Sequence, residues 1–294
     1  MRVAAQRTSE PEPAPQPICV NCGSSLVAGF CAGCGQRTPT PADYSMRAFL
    51  RAALGHVTNY DGRLLSTVRK LFVRPGQLAL DHFEGRRAQH LDPFRIFVLA
   101  NVAAWLIVPH TGMKGFSVAT AARYAILDGL WLRVVALRAQ LAHIPAAEML
   151  RRIDAVGSAE NSVTVLCLVP LMAAGLWAVL RARRWRYVQH LVFAAHFYCI
   201  HLCCVLLYIG CVLRPLILAC KAHAPSAVPL LMNIWAQHMA SAPALVLYLF
   251  FGMQRAYALS PRQAAWRAVL LGLWACTVSR MFFDIAFVNC LIWA

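Results

Sequence analysis

Apolar residues first recur at helical spacing and later form long runs. Between positions 43 and 92 they return every three to four positions opposite a face rich in arginine, as in the stretch from Met46 to Val57. This pattern predicts amphipathic helices that lie on a membrane surface or against a helical bundle. The alternative is a small soluble domain that folds by itself. Pro75-Gly76 predicts the end of one of these helices.

Long apolar runs follow from position 93 onward. Asp92-Pro93 predicts a helix start, with an N-cap and a proline at the first helical position. A helix needs about 20 mainly apolar residues to cross a bilayer. The runs predict about five spans. They are Phe94–Pro109, Val163–Leu180, Val188–Leu213, Val228–Gly252 and Ala264–Ala286.

Composition agrees with this interpretation. Of the 294 residues, 60% are hydrophobic and 14% are charged, whereas soluble domains average roughly 45–50% apolar and about 25% charged residues. We therefore predict a mainly α fold, a polytopic α-helical membrane protein. The net charge of +16 could also indicate a nucleic-acid binder. However, many basic residues stand in short blocks beside apolar runs, so no nucleic-acid partner is expected.

The basic blocks predict the orientation. Arginines cluster at 181–187, at 255–267 and ahead of the first span, while the 214–227 loop has only Arg214 and Lys221. Cytoplasmic loops carry the excess of Lys and Arg. Five spans with a cytoplasmic N-terminus place all three clusters inside, and the 111–160 segment outside.

Two knuckles of the form Cys-x-x-Cys-Gly open the ordered part of the chain. Their cysteines are Cys19, Cys22, Cys31 and Cys34. Four thiolates at this spacing suit a structural Zn²⁺ site, and four sulfur ligands leave no open position for a substrate. The alternatives are a redox dithiol pair or an iron site. In a reducing cytoplasm, metal binding is favoured over disulfide formation.

These patterns divide the chain into four parts. Residues 1–17 form a disordered lead, 18–37 a small zinc ribbon, 43–92 the amphipathic juxtamembrane region and 93–294 the transmembrane helical region. The lead is rich in proline, alanine and glutamate and has no apolar core, so it is not expected to act as a secretory signal peptide.

Ionisable residues inside apolar spans are candidates for function. His190 and His196 lie in the third predicted span, and Arg280 and Asp284 lie four residues apart in the last one. The histidines could serve a site or merely bond neighbouring helices, and the Arg–Asp pair could be purely structural. The sequence has no catalytic motif, so no catalytic residue is assigned and an enzyme is not favoured.

Four arginines would stand near the cytoplasmic headgroups: Arg74, Arg86, Arg87 and Arg95. Each arginine near an anionic membrane surface contributes about 1 kcal/mol of attraction. These residues are therefore possible lipid-headgroup contacts, unless they serve topology alone.

The region from Cys19 to Pro109 resembles a bacterial family of multi-pass membrane proteins of unknown function. The resemblance rests on the double Cys-x-x-Cys-Gly knuckle and on a block with Arg74-Pro75-Gly76, Glu84-Gly85-Arg86-Arg87 and Pro93-Phe94-Arg95. The run from His190 to His196 also looks similar, although Tyr198 stands where the family leads us to expect a further histidine. The resemblance implies a bacterial inner (cytoplasmic) membrane location and no known reaction.

Two hypotheses follow. In the first, an integral membrane protein uses a cytoplasmic zinc ribbon to recruit or sense a protein partner. In the second, a transporter or membrane enzyme uses His190, His196, Arg280 or Asp284. The first is preferred because the metal site is closed and no catalytic constellation is present.

Overall fold

The computed structural model describes residues 17–27, 29–38, 40–47, 63–107, 128–181, 185–231 and 234–293. Within these ranges the chain is mainly helical, with one short β-hairpin near its start. Most of the predicted lead and most of the stretch from Met46 to Val57 lie outside the described residues, so the predictions made for them are not addressed.

The N-terminal ribbon is a small antiparallel hairpin. Strand β1 (Leu26–Val27) pairs with β2 (Phe30–Cys31), Leu26 opposite Cys31 and Val27 opposite Phe30. Gly29 has a φ of 82° at the turn, a left-handed conformation that glycine adopts without steric cost. A 3₁₀ helix, Pro41–Tyr44, follows the ribbon.

The helices come in chain order. They are α1 Arg63–Val73, α2 Gln77–Phe83, α3 Pro93–Ile107, α4 Asp128–Leu141, α5 Ala146–Leu180, α6 Tyr187–Leu207, α7 Arg214–His223, α8 Val228–Leu231, α9 Ile234–Tyr257 and α10 Pro261–Trp293. A π-helical segment, Tyr208–Leu213, joins α6 to α7, so that the helix runs without a break from Tyr187 to His223.

The first part of α6 is the centre of the body. Its residues from Val188 to Ile200 are buried except for the half-buried Gln189. Helices α2, α3, α5 and α9 pack around it, and α10 packs on α5 and α9. Burial on every side explains the continuous apolar sequence of this segment, because a helix surrounded by others has no solvent face.

The turn between α1 and α2 fixes these two helices on this body. Gly76 has a φ of 78°, and a Cβ atom there would lie 2.3 Å from the carbonyl oxygen of Gly252 in α9. Arg255 Nη1 donates a hydrogen bond to the Pro75 carbonyl oxygen at 2.8 Å. The predicted helix end at Pro75-Gly76 is confirmed, and only glycine permits this approach of two backbones.

The predicted start of α3 is also confirmed. The helix begins at Pro93, and the Phe94 amide donates to Asp92 Oδ1 at 3.0 Å. Among the described residues, one helix, Tyr187–His223, is long and apolar enough to cross a membrane, and Pro93–Ile107 and Leu166–Leu180 are shorter apolar helices. The described structure therefore supports membrane association weakly and leaves the count of five spans as a prediction.

Candidate functional site

The four cysteines of the ribbon converge on one point. Cys19 Sγ lies 3.8 Å from Cys34 Sγ, Cys22 Sγ lies 3.3 Å from Cys31 Sγ, and all four sulfurs lie within 4.8 Å of one another. A tetrahedron with metal–sulfur bonds of about 2.3 Å has sulfurs roughly 3.8 Å apart. The arrangement can hold a metal ion, and zinc fits without being the only metal that would.

The two knuckles have the same backbone conformation. The Gly23 amide donates to the Cys19 carbonyl and the Gly35 amide to the Cys31 carbonyl, both at 2.8 Å. Both glycines have left-handed φ angles, 78° and 70°. Hydrogen bonding with the side chain and backbone of Ser24 lowers the pKa of the Cys22 thiol to about 6. A thiolate is the form that binds a metal.

Gln36 joins the ribbon to the helical body. Gln36 Nε2 donates to the Gly85 carbonyl at 2.6 Å, and its Oε1 accepts from the amides of Arg87 and Ala88, both at 3.0 Å. Gln36 follows directly after the second knuckle. These bonds tie the second knuckle to the loop between α2 and α3.

A cluster of charged and polar side chains around Asp81 holds that loop in place. Arg86 Nη2 donates to Asp81 Oδ1 at 2.7 Å, while His90 Nε2 and Lys70 Nζ lie 3.3 and 3.7 Å from Oδ2. Gln77 Nε2 donates to the same carboxylate at 2.9 Å.

Asp81 remains ionised because of these partners. Burial alone would raise the pKa of its carboxyl, but hydrogen bonds from His90 and Arg86 outweigh it and hold that pKa well below its ordinary value. The side chain is 7% exposed. The basic side chains of Arg86, His90 and Lys70 stabilise the charged form of this buried carboxylate, which in turn fixes the geometry of the loop.

A cavity of about 200 Å³ opens beside this cluster. Its walls come from α1, α2, the loop before α3, the start of α3 and the middle of α6. The charged and imidazole side chains in the wall are Arg63, His82, Arg86, Arg87, His90, Asp92, Arg95 and His196.

The structure separates the two predicted histidines. His196 lines the cavity and is 3% exposed. His190 Nδ1 lies 3.0 Å from the Tyr257 hydroxyl, and the two rings stack at 5.5 Å. Within the described ranges, the cysteines are the only group of three or more potential ligands that could share a metal ion, so neither histidine belongs to a metal cluster there.

The predicted arginines differ in their surroundings. Arg86, Arg87 and Arg95 all line the cavity. Arg86 also forms ion pairs with Asp81 and Glu84. Arg74 is exposed after α1. Arg280 and Asp284 lie four residues apart in α10, and their side chains lie outside the described part of the structure.

Sequence reasoning missed Lys70, Asp81, His82 and His90 as members of one site. The sequence signal available for this site was Asp81 followed directly by His82, within a stretch rich in basic residues. These residues come together because the loop between α2 and α3 folds back on α1 and α2, and residue spacing alone does not predict that fold. His196 joins them from a helix more than a hundred positions later.

Comparison with known families finds one match. Residues 61–104 match the family model described as "Protein of unknown function (DUF3667)". The matched segment contains the Arg74-Pro75-Gly76 turn, the loop after α2 and the start of α3, and thus most of the cavity wall. The ribbon and the run from His190 to His196 lie outside the match. No curated protein and no solved structure matches the chain.

Proposed function

We propose that the protein is a multi-pass bacterial inner-membrane protein whose cytoplasmic zinc ribbon recruits or senses a protein partner. The observation that carries this proposal is the pair of apolar side chains at the tip of the metal-clamped hairpin. Val27 is 63% and Phe30 55% exposed, directly opposite each other on the two strands. Exposed apolar side chains on a rigid element suit contact with another protein.

The chemistry of the clamp supports a structural role for zinc. Bound zinc would hold the two knuckles together and supply folding free energy to a hairpin too small to have its own core. The ligands would be Cys19, Cys22, Cys31 and Cys34. Four sulfur ligands leave no position for a substrate, so the ribbon serves binding and not catalysis.

The outer faces of the helices support several spans. Large apolar side chains are exposed on most of the long helices, including Trp105, Trp177, Leu207, Phe251 and Leu273. Soluble monomers rarely expose so much contiguous apolar surface. A bilayer would cover these faces.

The contacts at one end of the body support the orientation. The ribbon bonds to the loop after α2, Arg186 Nη1 donates to the Pro41 carbonyl at 3.3 Å, and Arg255 bonds to Pro75. The ribbon and the basic ends of α6 and α9 thus meet at one end. The positive-inside rule assigns this end to the cytoplasm.

The test compares cross-linked partners of the full-length protein in its native membrane. We expect the double variant Val27→Ser/Phe30→Ser to lose the partner that the wild type captures, as should Cys19→Ser/Cys31→Ser. Val73→Ser, which removes an apolar side chain that is 67% exposed at the end of α1, is the matched control and should keep that partner.

Metal analysis completes this test. The purified wild type should carry about one equivalent of zinc, and Cys19→Ser/Cys31→Ser should carry none, while the exposed Cys167→Ser leaves the content unchanged. If the hairpin-tip variant retained every partner, recruitment by the ribbon would be wrong even with zinc bound.

A further inference from the structure

The cavity beside the ribbon-bearing loop is the best-built polar site among the described residues that the ribbon's role leaves unexplained. It lies where α2, the start of α3 and α6 meet, directly under the loop to which Gln36 is bonded. At about 200 Å³ it has room for several water molecules at about 30 Å³ each. A small polar ligand therefore fits without movement of the helices.

The wall of the cavity carries excess positive charge. Four arginines and one carboxylate line it, the carboxylate being Asp92. Asp92 caps α3, and Asp81 and Glu84 engage Arg86. Arg95 forms no ion pair with any described residue. Charge of one sign concentrated in a low-dielectric recess attracts the opposite sign.

Buried polar atoms in this wall lack hydrogen-bond partners among the described residues, and one of them, Arg95 Nε, is a donor. Arg95 Nε and His90 Nδ1 are buried and have no hydrogen-bond partner in the described part of the chain. The His90 side chain is only 9% exposed. An unsatisfied buried donor costs roughly 1–3 kcal/mol. An anionic acceptor in the cavity would remove that cost.

The histidines add neutral donors to the same wall. Burial, together with the positive charge of Arg87, holds the pKa of His82 well below its ordinary value, so its ring is neutral at pH 7. His196 reaches the cavity from α6 and makes no hydrogen bond to a side chain of another described element. A neutral imidazole can donate one hydrogen bond to an oxyanion without adding charge.

We infer that this cavity binds a phosphate group, through Arg95 and Arg63 with donors from His82 and His196. Guanidinium groups match phosphate oxygens in a bidentate manner, and three or more oxygens can accept the donors arranged around the recess. The phosphate belongs either to a lipid headgroup or to a free phosphate compound.

The lipid source rests on the proposed membrane location, because basic pockets between helices at the cytoplasmic face bind anionic headgroups. The phosphate chemistry does not rest on it. The ribbon affects the phosphate site whichever source supplies the phosphate. The reason is that Gln36 fixes the backbone of Arg87, which forms part of the cavity wall.

The first experiment measures inorganic phosphate binding to the full-length protein, delipidated in an uncharged detergent, by thermal shift and calorimetry. Phosphate should raise the melting temperature of the wild type. Arg95→Gln should weaken binding by at least about tenfold, because a charge-assisted hydrogen bond is lost. Arg69→Gln, an exposed arginine of α1 outside the cavity, is the matched control and should bind as the wild type does.

The second experiment distinguishes the sources. Native mass spectrometry of protein extracted gently from the membrane should show retained phospholipid if the ligand is a headgroup, and Arg95→Gln should lose it while Arg69→Gln keeps it. If the ligand is free, phosphate binds and no lipid is retained. If Arg95→Gln does not fold, Arg95→Lys replaces it in both experiments, because it keeps the positive charge but loses the bidentate guanidinium.

If the wild type neither binds phosphate nor retains phospholipid, the inference is overturned. Equal binding by the wild type and by a folded Arg95 variant would overturn it as well. Both measurements are independent of the ribbon's protein partner. If phosphate binding is refuted, the proposed recruitment of a partner still stands. If recruitment is refuted, phosphate binding can still be tested.

Discussion

Asp81 shows how one side chain can set the shape of a loop. Its buried carboxylate is surrounded by Arg86, His90 and Lys70, and it accepts hydrogen bonds that orient the arginine and histidine of the cavity wall. Removing one member of a buried charged group leaves the other charges without compensation, which costs more than the group contributes in total.

We predict that Asp81→Asn lowers the free energy of unfolding by about 3 kcal/mol at neutral pH, as expected for a broken buried ion pair. Because the folded pKa of Asp81 is depressed, its contribution is present above the unfolded pKa of about 3.9 and is lost as pH falls further. Unfolding measured in detergent at pH 7 and below pH 4 should show the difference between wild type and variant shrink at acid pH.

Glu84→Gln is the matched control for that comparison. Glu84 pairs with the same arginine, but its side chain is 45% exposed. A surface pair contributes less than about 1 kcal/mol. Equal losses in the two variants, or a difference that does not change with pH, would contradict the role assigned to Asp81.

At the scale of elements, the ribbon is bonded to the helical body through Gln36. The three hydrogen bonds of Gln36 span about fifty positions of sequence and reach the loop between α2 and α3. The hairpin and the four-cysteine cluster do not involve this loop, so we expect that the ribbon can leave the body without unfolding either part.

We predict that Gln36→Ala undocks the ribbon while leaving its metal bound. The amides of Arg87 and Ala88 lose their acceptor, so their hydrogen–deuterium exchange should accelerate by about tenfold, the effect of one net hydrogen bond of about 1 kcal/mol or slightly more. Mass spectrometry of the peptide that covers 84–92 measures this exchange, and zinc content checks the clamp.

Thr38→Ala provides the control, because Thr38 Oγ1 bonds to the Gly29 carbonyl inside the ribbon and not to the body. Its exchange at Arg87 and Ala88 should match the wild type. Unchanged exchange in Gln36→Ala would show that other contacts hold the ribbon in place.

The same elements explain what the sequence could and could not predict. The start of α3 at Asp92-Pro93 and the approach of the four cysteines are local, so spacing and residue type suffice to predict them. The Gln36 bonds and the meeting of His196 with His90 join parts far apart in sequence. They depend on how helices pack, which no periodicity records.

At the scale of the whole molecule, the described structure brings the ribbon, Arg186 and Arg255 to one end. The helix from Tyr187 to His223 leads away from that end for 37 residues, or about 55 Å at 1.5 Å per residue. That length exceeds the roughly 30 Å hydrocarbon core of a bilayer. If it crosses, His223 stands on the far side from the ribbon.

We predict that an epitope inserted after Ala222 is cleaved by protease added outside intact spheroplasts, while epitopes at the N-terminus and after Ala258 are protected until the membrane is opened. The reason is that Ala258 follows α9, whose end is bonded through Arg255 to the turn at Pro75, which the proposed orientation places on the cytoplasmic side. Zinc content and a folded elution profile confirm that each insertion is tolerated. Protection of the epitope after Ala222, with its exposure on lysis, would mean that the Tyr187–His223 helix does not cross the membrane, and the five-span arrangement would fall with it.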